Sequence, residues 1–183
     1  MKKAALFLVA ILIFVGVLFL GRLQGSNRDA VLTASEGSWE YRLGQYPVRV
    51  KLPLTTHVVS EVPGGGEMIF SAFLKDDELG FKGYLQLWKV EDLGRFIAAS
   101  RERSPFCFKD FDQEPVRIKN YEGFQIEWKA VMKDSKPASG KDYLLKKGSG
   151  DEALRLSFFS EASSFSPKLS EVVDAVVSSV EWK

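Results

Sequence analysis

The chain has 183 residues, with 25 basic and 24 acidic side chains for a formal charge of +1. Its 45% hydrophobic and 13% aromatic content supports a packed core and excludes a chain disordered throughout, whose apolar surface could not offset chain entropy. The balanced charge, with no dense run of Lys and Arg, argues against nucleic-acid binding, and a single histidine and a single cysteine exclude an intrachain disulfide, a multi-histidine metal site and a structural zinc.

Met1, Lys2 and Lys3 lead into an uncharged apolar run over residues 4–20, and the next charge is Arg22. As a helix rising about 1.5 Å per residue, that run covers roughly 26 Å of a hydrocarbon core about 30 Å thick. A secretory signal peptide has a shorter apolar region and ends at a small-x-small site. Here Gly25 is small, but position 23 is Leu. Residues 1–22 are therefore expected to form a transmembrane anchor (an uncleaved signal); a cleaved leader and a secreted soluble domain are the alternative. The leading lysines and terminal amine favour a cytoplasmic N-terminus. This predicts a single-pass cell-membrane protein whose C-terminal domain is extracytoplasmic. From Leu23 onward 22 basic side chains face 24 acidic ones, so the exported part has little attraction to anionic lipid. No cysteine follows the apolar run closely enough to carry a bacterial lipid, which leaves the helix as the anchor.

Residues 23–38 (LQGSNRDAVLTASEGS) mix small and charged side chains without a period and read as a tether. Residues 39–183 suffice for one domain burying about 70% of its unfolded surface. Within them, residues 39–43 and 48–52 read as a hairpin turned at 44–47, with Val48, Val50 and Leu52 alternating against Arg49 and Lys51. A weaker strand over 57–62 ends at Pro63-Gly64-Gly65-Gly66, and strands follow at 67–74 and 83–90. The period then changes. Leu93, Phe96, Ile97 and Ser100 share one face of a helix over 92–103, with Asp92 able to cap it and Ser104-Pro105 stopping it.

An irregular aromatic stretch precedes strands at 116–119 and 124–133. In the second, Phe124, Ile126, Trp128, Ala130 and Met132 alternate with Gln125, Glu127, Lys129, Val131 and Lys133. Strands at 141–147 and 153–160 come next. The closing helix has Ser166 as N-cap, Pro167 at its first position and an apolar stripe of Leu169, Val172, Val173, Val176, Val177 and Val180. Valine is a mediocre helix former, so this stripe must gain its stability by packing on a sheet. Short connectors force mostly antiparallel neighbours. The class is α+β, with two amphipathic helices covering a curved antiparallel sheet.

The order of elements resembles the PsbP-like family. VRIKNYEGFQIEW (116–128) is similar to that family's strand, glycine turn and long strand; residues 154–159 and 172–182 look like its last strand and closing helix near a tryptophan. The resemblance covers about residues 39–183. It implies an α-β-α sandwich around an antiparallel sheet, used mainly by non-enzymatic accessory proteins on the far side of a membrane, with no shared catalytic residues. A transmembrane anchor departs from the family's plant photosystem members.

Any imidazole-based catalyst would depend on His57, which has no nucleophile signature near it and reads as an exposed strand-edge residue. Cys107, between Phe106 and Phe108, reads as a buried thiol. Asp110, Asp112 and Glu114 alternate, so in an extended segment they share one side and are the candidate calcium ligands, although Pro115 excludes an EF-hand. Asp76, Asp77 and Glu78 read as a solvated acidic turn. The glycines at 64–66 precede a strand rather than a helix, and Gly140-Lys141 lacks a following Ser or Thr, so neither is a phosphate loop. The four tryptophans read as core or sheet-face residues, with Trp182 open to exposure. The sequence thus predicts a non-catalytic binding or assembly module with no cofactor and a membrane-associated protein partner. The competing readings are an extracytoplasmic hydrolase or metal-dependent enzyme using carboxylates and a secreted soluble ligand-binding protein.

Overall fold

The computed structural model describes residues 37–132 and 135–183. The anchor expected over 1–22, the tether up to residue 36 and the last residue of the strand expected over 124–133 lie outside the described residues. No helix among the described residues is long and apolar enough to cross a membrane. In chain order the elements are β1 (Ser38–Arg42), β2 (Val48–Pro53), β3 (His57–Gly65), β4 (Met68–Asp76), β5 (Phe81–Lys89), α1 (Leu93–Glu102), β6 (Cys107–Ile118), β7 (Tyr121–Val131), β8 (Pro137–Lys147), β9 (Glu152–Ser160), α2 (Pro167–Ser178) and β10 (Glu181–Trp182).

Two meanders build the main sheet, because every connector within them is too short for a parallel return. They join where β5 pairs antiparallel with β9, giving a seven-stranded sheet of order β3-β4-β5-β9-β8-β7-β6. A second, three-stranded sheet has the order β1-β2-β10. Strand alternation then divides the apolar residues between the two faces of the main sheet. One face carries Leu85 and Leu87 of β5, Leu154 and Leu156 of β9, and Leu145 of β8, all buried in a single cluster with the small sheet and α2. The other face carries Ile126, Trp128, Leu144 and Phe159, and buries Leu93 and Ile97 of α1.

Both helices start as their sequences predict. Asp92 Oδ1 accepts from the Arg95 amide at 3.0 Å, and Ser166 Oγ accepts from the Leu169 amide at 3.2 Å, each satisfying a donor that the first turn leaves free. The valine stripe of α2 buries Val173, Val176 and Val177.

Three expectations are corrected. The aromatic stretch before residue 116 is not irregular: β6 runs for 12 residues as an outer strand of the sheet, with a bulge between Phe108 and Asp110 that shifts its alternation by one. Cys107 at its start is exposed, not buried. The ladder between β3 and β4 continues through the glycines, pairing Gly65 with Met68. Trp182 is a core residue, as read for the tryptophans: β10 pairs it with Val48 and its amide donates to the Tyr121 hydroxyl at 2.7 Å.

Candidate functional site

The short helix leaves much of its sheet face uncovered. At 1.5 Å per residue α1 is about 15 Å long, whereas seven strands spaced near 4.8 Å span roughly 29 Å. Between α1, the loop that follows it and the sheet lies a cavity of about 710 Å³. Its walls are aromatic. Phe106 stacks on Trp128 with ring centroids 5.2 Å apart, Phe108 meets the same indole edge-on at 5.7 Å, and Trp88 packs against Phe96 of α1 at 5.1 Å. The Arg101 guanidinium lies 4.4 Å above the Phe111 ring, closing one side by a cation–π contact.

Trp128 can lie flat on the sheet because its cross-strand partner is Gly140. A Cβ at that position would sit 2.4 Å from the indole Cζ2, so any side chain there would push the ring away. Gly140, which precedes the strand expected over 141–147, lies within β8 and makes room for the cavity wall.

The floor is polar and comes from the middle of the sheet. Asp142 is buried; its Oδ1 accepts from Ser157 Oγ at 2.8 Å and Trp128 Nε1 at 3.3 Å, and its Oδ2 accepts from Arg155 Nη2 at 2.7 Å. Beside it, Gln86 Oε1 accepts from Trp88 Nε1 at 3.2 Å and Gln86 Nε2 donates to Ser71 Oγ at 3.1 Å. Each oxygen of the acid and the amide thus already accepts a hydrogen bond from the protein. Arg155 differs. A guanidinium has five N–H donors, and among the described residues its one hydrogen bond is to Asp142, while its Nε–H is buried without a partner. Its side chain is nevertheless 27% exposed and lines the cavity.

Charges around the cavity balance: Lys89, Arg95, Arg101, Arg103 and Arg155 are matched by Glu67, Glu91, Asp92, Asp142 and Asp151. Burial pushes the Tyr84 hydroxyl up to about 12, with the Arg155 charge opposing, so this wall residue is a neutral phenol at physiological pH.

The calcium candidates lie elsewhere. Asp110, Asp112 and Glu114 face one side of β6, as their alternation predicts, opposite Lys129, Glu127 and Gln125 of β7. Lys129 Nζ is 3.0 Å from Asp110 Oδ2, and all three acids are exposed. No group of three or more His, Cys, Asp and Glu residues among the described residues could hold a metal ion. His57 is exposed on β3, and neither it nor Cys107 lines the cavity. The acidic turn is only partly solvated: Asp77 and Glu78 are exposed, whereas Asp76 is 1% exposed and holds four donors, the hydroxyls of Thr55 and Thr56 and the amides of Glu78 and Leu79.

Sequence reasoning missed Asp142, Arg155 and Gln86. One signal was present: Arg155 stands among Leu154, Leu156 and Phe158 in a strand too apolar to be an edge, where a charge needs a buried partner.

No protein-family model matches the sequence, and no curated protein matches it. Among solved structures, the solution structure of cyanobacterial PsbP (CyanoP) from Synechocystis sp. PCC 6803 is similar, with a TM-score of 0.57 and 11% identity, covering 90% of this chain and 99% of that one. The fold is therefore PsbP-like, with its two helices on opposite faces of an antiparallel sheet.

Proposed function

We propose that this chain is a membrane-tethered, extracytoplasmic, non-catalytic binding module of PsbP type, and that its binding site is the cavity beside α1. The observation that carries the reading is the cavity itself, about 710 Å³ of aromatic-walled space over a polar floor whose carboxylate is already held by three donors. Its size lies in the range of small-molecule sites, and apolar walls with a few fixed polar groups are what such sites have in common. The apolar run over residues 4–20 supports the tether, with Lys2 and Lys3 keeping the N-terminus in the cytoplasm. Confinement to the membrane surface raises the domain's effective concentration toward a membrane-associated protein partner, without any new contact.

The chain's single cysteine makes the topology testable. Cys107 is exposed, so a membrane-impermeant maleimide reports which side of the membrane the domain occupies. In cells expressing the full chain, the protein is expected in the membrane fraction and is expected to be labelled before lysis. Recovery in the cytosol, with labelling only after lysis, refutes the tethered, exported form.

A further inference from the structure

The cavity's polar floor restricts the chemistry of what it takes, and this inference rests on the reading of the cavity as the binding site. Asp142 accepts three hydrogen bonds, and Gln86 is engaged through both its oxygen and its nitrogen. The Arg155 guanidinium, by contrast, spends one Nη donor on Asp142 and carries further Nη donors on a side chain that is partly open to the cavity, while its Nε–H is buried. An occupant that covers those Nη donors has to supply an acceptor, because a donor buried without a partner costs free energy.

Its charge follows from the ion pair. Arg155 is already neutralised by Asp142 at 2.7 Å, and the charged side chains around the cavity balance. A second carboxylate placed on Arg155 would be desolvated beside Asp142, whose charge already offsets that guanidinium. A neutral oxygen acceptor takes the same donors without that cost. The rest of the occupant has to match flat walls: Trp128 stacked on Phe106, and Phe159 stacked with Tyr84 at a centroid distance of 6.2 Å.

We infer that the cavity binds a neutral, planar, carbonyl-bearing molecule, with its ring against the partly exposed aromatic wall of Phe106 and Trp88 and its carbonyl oxygen accepting from Arg155. No covalent step is involved. The site recognises the molecule and shields it from water.

Three probes with the same ring separate the elements of this inference: acetylnaphthalene has a neutral carbonyl, ethylnaphthalene has no acceptor and naphthoate has a carboxylate. Each is titrated into the full chain in lipid nanodiscs, with empty nanodiscs as the blank, by tryptophan quenching and by the arginine side-chain N–H signals in nitrogen-edited NMR. Acetylnaphthalene is expected to bind about tenfold more tightly than either of the others and to move the Arg155 signals. Arg155→Lys keeps the charge opposite Asp142 but lacks the planar fork, so it is expected to bind acetylnaphthalene and ethylnaphthalene about equally. Should that variant fail to fold, the comparison on the native chain stands alone. Equal affinity of the native chain for the acetyl and ethyl compounds overturns the carbonyl contact, and tightest binding of naphthoate overturns the neutral class. Failure of all three to bind overturns the cavity as a small-molecule site.

Discussion

Asp76 shows what a single side chain can do when the backbone turns around it. Burial alone would raise its carboxyl, but the hydroxyls of Thr55 and Thr56 and the amides of Leu79 and Glu78 together outweigh burial and hold it below its ordinary value of 3.8. A lowered native value means that the unfolded chain binds more protons in the window below 3.8. The stabilisation is therefore complete above that value and is lost as the pH falls through the native one. Asp76→Asn keeps one acceptor oxygen and loses the charge, which is expected to cost about 1–3 kcal/mol near neutral pH. Urea unfolding of the native chain and the variant at about pH 7 and about pH 3 checks this, since the gap is expected to narrow in acid. A gap that stays constant between the two would show that the carboxylate charge is not what the turn holds. From the sequence, Asp76-Asp77-Glu78 looked uniformly solvated; the difference lies with Thr55 and Thr56, whose approach depends on β3 pairing with β4.

At the scale of elements, α2 is fastened to the main sheet by a lysine as well as by its valines. Lys141 is buried, and its Nζ reaches Asp174 Oδ1 at 2.9 Å and Ser170 Oγ at 3.0 Å, both on α2, and Glu127 on β7 at 3.4 Å. The neighbouring Tyr143 hydroxyl donates to the same Asp174 oxygen at 2.7 Å; burial first, and that bond second, raise it above the ordinary phenol range, so it stays a donor. Lys141→Met retains the apolar stem and removes the ammonium. Asp174 is half exposed and regains water, so the expected loss is about 1–2 kcal/mol rather than that of a broken fully buried pair. Amide hydrogen exchange is expected to rise in α2 and to change little in β4 and β5. Unchanged protection in α2 would mean that the valine stripe alone seats the helix. That stripe was legible in the sequence because buried helix positions repeat every three or four residues, and β7 was legible because one of its faces is buried. β6 was not, since an edge strand with a bulge exposes most of its side chains and its alternation breaks at the bulge. Residues 137–140, which open β8, were hidden by Pro and Gly, which usually mark turns; β8 here starts at Pro137 and pays for no side chain at Gly140, where Trp128 lies.

The whole molecule follows from an imbalance between its two sheet faces. One face is sealed by α2 and a second sheet, whose valines, leucines and Trp182 join the main core. The other has α1 alone, and the cavity occupies what that helix cannot cover. No local pattern encodes such a space: it depends on the length of one helix against the width of a sheet, and on β5 meeting β9 so that Gln86 comes opposite Arg155. The described residues alone supply two large buried clusters that draw on strands and helices from Tyr41 to Trp182. A chain beginning at residue 37 is expected to fold with a melting temperature within a few degrees of the full chain, since a loss of about 1 kcal/mol would move a domain of this size by roughly 2–4 °C. The same truncation is expected to leave the membrane fraction entirely. A markedly lower melting temperature would show that the leading segment packs on the domain, and continued sedimentation with membranes would transfer the attachment from the apolar run to the domain surface, where a near-neutral charge gives it little electrostatic reason to bind lipid.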